Sequence, residues 1–393
     1  MKGVRALCSL CQHGPIWSQL RLDKTRPWSL AVSPCSRRLI ARANATVSQK
    51  LEAESTAHKP HIKADDLAQE IRREKNETKN KAKGTFDKVD PQLSPVQKKV
   101  HELRQLTRQL QVVHPNVLAK ALHRGLLFHN QELLAINKPY GVPVHGGPGV
   151  RNSISDVLPI LAKMIDGVRA GPDLHICHRL DKETTGTLLL AKSETAASRI
   201  QELFKSHQVE KKYWVLCVGV PVPSEGLIDI PVVEKAITGD QPHYKMALSP
   251  VYRLREGGEG VTRIRANQQA HGAVTRYRVL ASSGGCSLVE LHPVTGVKHQ
   301  IRVHMAYALG CTILGDHKYS HWNKLAPQKL PEGVLRRLGL EQSKARHLPL
   351  HLHASQLTLP GVGGDGDITV RCPLPKFFTS SLRKLQIALP EKP

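Results

Sequence analysis

Between Glu132 and Pro293 the chain is dominated by short apolar runs bounded by Gly, Pro, Asn or Ser. ELLAIN (Glu132–Asn137), TLLLAK (Thr187–Lys192), KYWVLCVGV (Lys212–Val220), TRYRVLA (Thr275–Ala281) and SLVELHP (Ser287–Pro293) are six to nine residues long. That length, with aliphatic, β-branched and aromatic residues, suits strands rather than helices. The last two runs are joined by a Ser-Gly-Gly turn and read as a paired unit. Helical spacing is rarer. Ser193 can cap a helix carrying Ile200, Leu203 and Phe204 on one face. HQIRVHMAYALG (His299–Gly310) reads as a second helix, ended by Gly310. Many strands with few helices between them predict an α+β fold with a mixed, largely antiparallel central sheet flanked by helices and loops. There is no internal repeat.

The flanks differ from this segment. Residues 1–50 hold nine Lys or Arg and one acid, Asp23, with frequent Ser. This is the composition of an organelle transit peptide, and residues 1–48 are assigned as a mitochondrial one. No apolar core of the length a secretory signal needs follows Lys2. Residues 49–95 are mixed-charge and poor in large apolar side chains, as a flexible linker would be. Val100, Leu103, Leu106, Leu110 and Val113 then recur at helical spacing, giving a basic amphipathic helix within 96–124 that ends near His114-Pro115. Its basic residues Lys98, Lys99, Arg104 and Arg108 suit either RNA or solvent. The compact domain is expected over 125–385. Within it, residues 317–347 carry seven Lys or Arg against two Glu and read as a basic surface loop.

The formal net charge is +24, and most of it lies outside the presequence. A polyanionic partner follows, nucleic acid first, because Lys and Arg on phosphates release counterions. No apolar run has membrane-spanning length, so membrane insertion is not expected. Cys8 and Cys11 form a CxxC inside the presequence, without a second pair at zinc-finger spacing. Cys177, Cys217, Cys286, Cys311 and Cys372 show no motif spacing and read as reduced core thiols. His292, His299 and His304 do not have the i, i+4 spacing of a helical metal pair, and GGPG at 146–149 lacks the GK[ST] of a phosphate loop.

What remains is an acid beside an Arg in HICHRLDKETTGTLLLAK (His175–Lys192), and a basic constellation in VTGVKHQIRVH (Val294–His304). Arg302 falls in the first turn of the expected helix, where a cation meets the positive end of the dipole and wants an anion. Asp181 is a candidate for that anion. An Arg within a few ångströms would lower its pKa and keep it ionised.

These residues belong to an ordered set. NKPYGVPVH (Asn137–His145), HRLDKETTGTLLLAK (His178–Lys192), KKYWVLCVG (Lys211–Gly219), AVTRYRVL (Ala273–Leu280), HPVTGVKHQIRVHMAYALGCTILGDHKY (His292–Tyr319) and LHA (Leu352–Ala354) span about residues 130 to 360. In this order the six blocks resemble the RluA-type pseudouridine synthases, which isomerise uridine within RNA. The resemblance implies the pseudouridine synthase fold, with Asp181 as catalytic carboxylate, Tyr213 against the target base, Arg302 as partner of the aspartate, and Arg179 in the space of the extruded base. His178, Thr185, Lys298, His299 and Gln300 are carried over as substrate-binding. No cofactor or metal is implied, because the base is detached from the ribose and rejoined without gain or loss of atoms.

Two positions depart from the family pattern. Thr184-Thr185-Gly186 stands for Thr-Ser-Gly, and Thr-Gly-Val at 295–297 stands for Thr-Gly-Arg, with Lys298 beside it. The expected substrate is mitochondrial rRNA, tRNA or mRNA in the matrix, with a minor nuclear or cytoplasmic pool allowed. The chain is expected to act as a monomer, with ribosome-assembly or RNA-granule proteins as further partners. The rival reading is a non-catalytic RNA-binding factor for mitochondrial ribosome assembly that keeps the fold. Loss of the aspartate would be its signature, and Asp181 is present.

Overall fold

A computed structural model describes residues 94–390, apart from 109, 168–173, 239–241, 255–260 and 362–365. The expected transit peptide with its CxxC, and all but the last residues of the linker, lie outside the described residues. The described residues fall within one compact unit.

The order is α1 (Pro95–Arg108), α2 (Pro115–Arg124), β1 (Leu126–His129), β2 (Leu133–Lys138), α3 (Ile154–Asp166), β3 (His175–Ile176), β4 (Thr185–Ala191), α4 (Glu194–Lys205), β5 (Glu210–Val218), β6 (Glu225–Asp229), β7 (Val232–Ile237), β8 (His243–Leu248), β9 (Tyr252–Leu254), β10 (Val261–Arg263), β11 (Val274–Ser283) and β12 (Cys286–Pro293). Then come α5 (Gln300–Val303), which runs into a π-helical turn (His304–Ala308), α6 (Glu332–Leu338), a 3₁₀ helix (Gln342–His347), β13 (Leu352–Leu359), β14 (Ile368–Arg371) and α7 (Lys376–Leu385). The basic stretch 96–122 is therefore two helices rather than one. His114 breaks it, its Nδ1 accepting from the Asn116 N–H, and Pro115 opens the second helix where a missing N–H costs nothing.

A ten-stranded sheet runs β1-β2-β4-β13-β5-β12-β11-β6, with β3 on β4 and β14 on β13. Among the described residues only the pairing of β13 with β4 in this sheet is parallel; the others are antiparallel. The left half is clad on both faces, which explains the unbroken apolar run of β4. Leu134, Ile136, Leu188 and Leu190 pack under α2 and α3, while Leu133, Ala135, Leu189 and Ala191 pack against α4. Ser153 and Asp156 cap α3 reciprocally, and Ser193 caps α4 as its sequence suggests. The right half alternates likewise: Leu216 and Leu288 face α1, α6 and α7, while Val215, Val289 and Leu291 face Ile301 and Met305.

Residues 317–347 are not merely a surface loop. Leu330, Val334, Leu338, Leu340 and Ala345 are buried with Phe378 and Leu382 of α7. Each such side chain contributes about 1.5–3 kcal/mol through burial, so the segment is held by its apolar face and shows its charges to water. Among the described residues no helix is long and apolar enough to cross a membrane.

The parallel joint between β4 and β13 sets the geometry of what lies above it. Gly186 has φ +116°, and a Cβ there would strike the backbone of Ala354. Only glycine allows the two strands to meet at that point.

Candidate active site

A cleft of about 730 Å³ opens over this joint. Arg179, Asp181, Tyr213, Lys298, His299 and Arg302 line it, brought from the β3–β4 loop, from β5 and from the start of α5.

The loop that carries Asp181 is clamped from below. Lys138, at the end of β2, is fully buried, and its Nζ donates to the carbonyls of Pro139 (3.1 Å), Lys182 (3.0 Å) and Thr184 (2.8 Å). Three ammonium donors meet three backbone acceptors, so the loop's inward carbonyls are satisfied. Burial pushes this lysine down to about 7, against the pull of Asp181 and Glu183. The Thr184 N–H closes a turn onto the Asp181 carbonyl at 3.1 Å.

Arg302 does not pair with Asp181 as its sequence position suggests. Its Nε and Nη2 donate to Oδ2 and Oδ1 of Asp316 at 2.8 and 2.7 Å, and its Nη1 lies 3.1 Å from Glu183. Arg302 and Asp316 are both buried. Burial opposes both charges, but each ion overrides it for the other: the guanidinium is raised and the carboxyl held below its ordinary value. Asp316 also accepts the N–H groups of Lys318 and Tyr319, which ties GDHKY to the site. The anion at the positive end of α5 is thus Asp316.

Asp181 is consequently not held down by a bonded arginine. Burial raises its pKa, with Arg302, Arg179 and Lys138 opposing through space. Its ion-pair neighbour within 4 Å among the described residues is His299, with Nε2 at 3.8 Å. His299 has φ +55°, an uncommon backbone for a side chain with a Cβ, and burial pushes its pKa down to about 3. Its Nδ1 is 2.6 Å from the Tyr319 hydroxyl. That oxygen accepts the Met246 N–H, so its own proton is directed to Nδ1. The proton of the neutral imidazole is then on Nε2, the nitrogen facing Asp181.

The other expected site residues divide. Tyr213 lines the cleft, and burial, then the Asp181 charge, raise its hydroxyl pKa. Arg179 is exposed at the cleft. Lys298 reaches Glu234 at 2.7 Å on the rim. Three residues expected to bind substrate also have partners within the protein, and two of them, His178 and Gln300, line the cleft. His178 accepts the Leu189 N–H at 2.9 Å and stacks on Phe204, and burial takes it down to about 3. Thr185 points away from the cleft onto His353 at 2.9 Å, and its neighbour Thr184 lines the wall. Gln300 is buried: it accepts from the Thr295 hydroxyl and the Val297 N–H and donates to the Val274 carbonyl and Thr275. It therefore shapes the 295–297 loop. Lys138, Glu183, Asp316 and Tyr319 were not singled out from sequence, although each lies inside a quoted block.

The RNA pseudouridylate synthase family model matches residues 132–307. The mitochondrial pseudouridylate synthase RPUSD4 of Danio rerio is 60% identical over 338 residues, covering 86% of this chain and 93% of its own. Its Homo sapiens counterpart is 54% identical over 332 residues, covering 84% and 86%. The solved structure of Human RNA Pseudouridylate Synthase Domain Containing 4 superposes with a TM-score of 0.63 at 53% identity, over 70% of this chain and 98% of that one.

The chain belongs to the RNA pseudouridylate synthase family.

It is a mitochondrial RNA pseudouridine synthase, an isomerase. Within this synthase the sequence blocks acquire separate physical jobs: NKP supplies the clamp under the loop, TTG the close strand contact, and HQIR with GDHKY the buried ion pair.

Proposed function

We propose that this synthase isomerises uridines in mitochondrial ribosomal, transfer or messenger RNA in the matrix, with Asp181 as the catalytic carboxylate. One observation carries the assignment. In a cleft lined by Arg179, Lys205, Lys211, Lys298 and Arg302, the Asp181 carboxylate is half-buried, while the bonds of Arg302 go to Asp316 and Glu183. The carboxylate stays available to a substrate atom, surrounded by cations that favour its ionised form.

The target uridine must leave its stack, at a cost of a few kcal/mol. Arg179 fills the vacated space and meets phosphate or base edges. Tyr213 holds the flipped uracil by ring contact. Ionised Asp181 then either bonds to ribose carbon 1′ or takes a proton from carbon 2′, and the bond to uracil nitrogen 1 breaks with its electron pair passing to the base. The base turns and carbon 5 bonds to carbon 1′ as Asp181 leaves or returns its proton, after which the carbon 5 proton passes to water and nitrogen 1 takes one up. Arg302, fixed by Asp316, supplies a constant positive field beside the developing charges. Ribosome-assembly or RNA-granule proteins are proposed as the further partners of a monomeric enzyme.

The test incubates the purified chain with transcripts of each RNA class tritiated at uridine carbon 5. Tritium reaches water only when carbon 5 becomes the glycosidic carbon. Release from at least one class supports the reading. No release from any class, alongside firm salt-sensitive binding, would favour an RNA-binding assembly factor.

A further inference from the structure

A second cationic feature lies outside the cleft. Helix α1 carries four Lys or Arg against one Glu, and residues 317–347 carry seven against two. The fold lays these segments together. Arg104 Nε is 3.3 Å from His347 Nε2, across 243 residues of sequence. The Nζ groups of Lys99 and Lys384 both donate to the Leu338 carbonyl at the end of α6. After burial, the groups acting on His347 are Arg104, Arg346, Lys344 and His317, all basic. Lys99 is pushed down by burial and by Lys384, with Glu102 as the opposing carboxylate.

Positive groups packed this way repel one another, and the local structure offsets part of that repulsion. Lys344, Arg346 and His347 lie in the last turn of the 3₁₀ helix, where cations complement the free carbonyls. That benefit is typically about 0.3–1 kcal/mol for each charge and fades beyond the turn. It does not account for Arg104, which arrives from another segment, nor for two lysines sharing one carbonyl. The cluster also lies near the cleft. His317 Nε2 is 3.1 Å from the carbonyl of Leu348, the residue after His347, and Asp316, the residue before His317, holds Arg302 of the cleft wall.

We propose that Arg104, Lys344 and Arg346, grouped around His347, form a docking strip for the phosphate backbone of the substrate RNA, beyond the target nucleotide. The inference rests on the RNA-isomerase reading of the cleft and adds where the rest of the RNA runs. Phosphates at regular spacing neutralise fixed cations and release counterions without reading sequence. Arg346 is exposed and Lys344 half-buried, so their charges can be removed without opening the core.

The test compares full chain with the K344Q/R346Q variant, using two fluorescent RNAs: a hairpin of about forty nucleotides and a single strand of about nine, long enough to fill the cleft but not the strip. Each lost phosphate contact should flatten the plot of log affinity against log salt by about 0.7–0.9. The variant should bind the hairpin about tenfold more weakly near 0.1 M salt, with a slope smaller by about 1.5, and bind the short strand like wild type. An unchanged hairpin slope would overturn the strip. Equal weakening for both RNAs would overturn it too, because general loss of positive charge would then suffice. Circular dichroism melting confirms that the variant is folded. Tritium release from carbon 5 reports on Asp181 separately, so failure of the strip and failure of the catalytic reading give different results.

Discussion

Replacing Asp316 by Asn tests the claim that Arg302 is organised by Asp316 and not by Asp181. Asn keeps the shape and one oxygen, which can still accept the Lys318 and Tyr319 N–H groups. It removes the charge and the bidentate contact, since its amide nitrogen cannot accept from Arg302. The guanidinium is left buried, with half-exposed Glu183 in contact and Asp181 acting through space. Breaking a buried pair by deleting one partner costs about 3–5 kcal/mol, and Arg302→Met should cost a similar amount by stranding Asp316. The double variant should lose far less than the sum, giving a coupling of about 2–4 kcal/mol in urea unfolding at neutral pH. Asp316 has a depressed pKa in the folded state, so its stabilisation is present above the ordinary aspartate value and is lost as pH falls through the folded one. The gap between wild type and D316N should therefore close in acid. The same cycle on Asp181 and Arg302 should give about 1 kcal/mol or less, as expected without a direct bond. Additive losses at 302 and 316, or a larger coupling at 181, would refute the arrangement.

Lys138→Met should cost about 2–4 kcal/mol by orphaning three buried carbonyls, and should lower turnover at least about tenfold by loosening the Asp181 loop. Because the buried lysine titrates near 7 when folded and higher when unfolded, wild type should gain stability over the variant as pH rises above 7, by at most about 1.4 kcal/mol per pH unit; pH-dependent urea melts would show it. Gly186→Ala should cost about 3 kcal/mol or more by forcing β4 from Ala354, measurable as a lost or much lowered melting transition. Tyr319→Phe removes the proton directed at His299 Nδ1; nitrogen-15 spectra should show a mixed tautomer, and kcat should fall several-fold while KM holds.

Much of this fold is written in short-range patterns. Five strands of the sheet (β2, β4, β5, β11 and β12) and the cap at Ser193 follow from run length, residue type and turn residues, and Gly284-Gly285 join β11 to β12 with positive φ at both; β1, β3, β6, β13 and β14 lack so clear an apolar run. The buried joint of β4 and β13 is not visible this way, because it depends on a pairing between residues 185–186 and 353–354. Residues 317–347 read as a surface loop because charged and polar residues interrupt the apolar ones, although Leu330, Val334 and Leu338 form an i, i+4 row that faces the core. The sequence reading ends the 96–124 helix near His114-Pro115 but does not give the second helix beyond it, because proline starts a helix as readily as it stops one.

The site was legible to the extent that it lies in quotable blocks. Asp181 and Arg302 stand out chemically, but their partners do not. Asp316 is fourteen residues beyond Arg302, on a turn whose direction the sequence does not give. Lys138 reads as a surface lysine until its three acceptors are known. His178, Thr185 and Gln300 have polar side chains suited to substrate, and only strand face and backbone acceptors reveal that each is occupied within the protein.

The most direct measurement is single-turnover release of tritium from carbon 5 of a reactive RNA by wild type and Asp181→Asn, with the affinity of each for that RNA measured alongside. The variant should release no tritium while binding within a few-fold of wild type, and the wild-type rate should fall on acidification at a pH above the ordinary aspartate range, as burial of Asp181 requires. Sustained release by Asp181→Asn with intact binding would contradict the central claim and remove Asp181 from the mechanism.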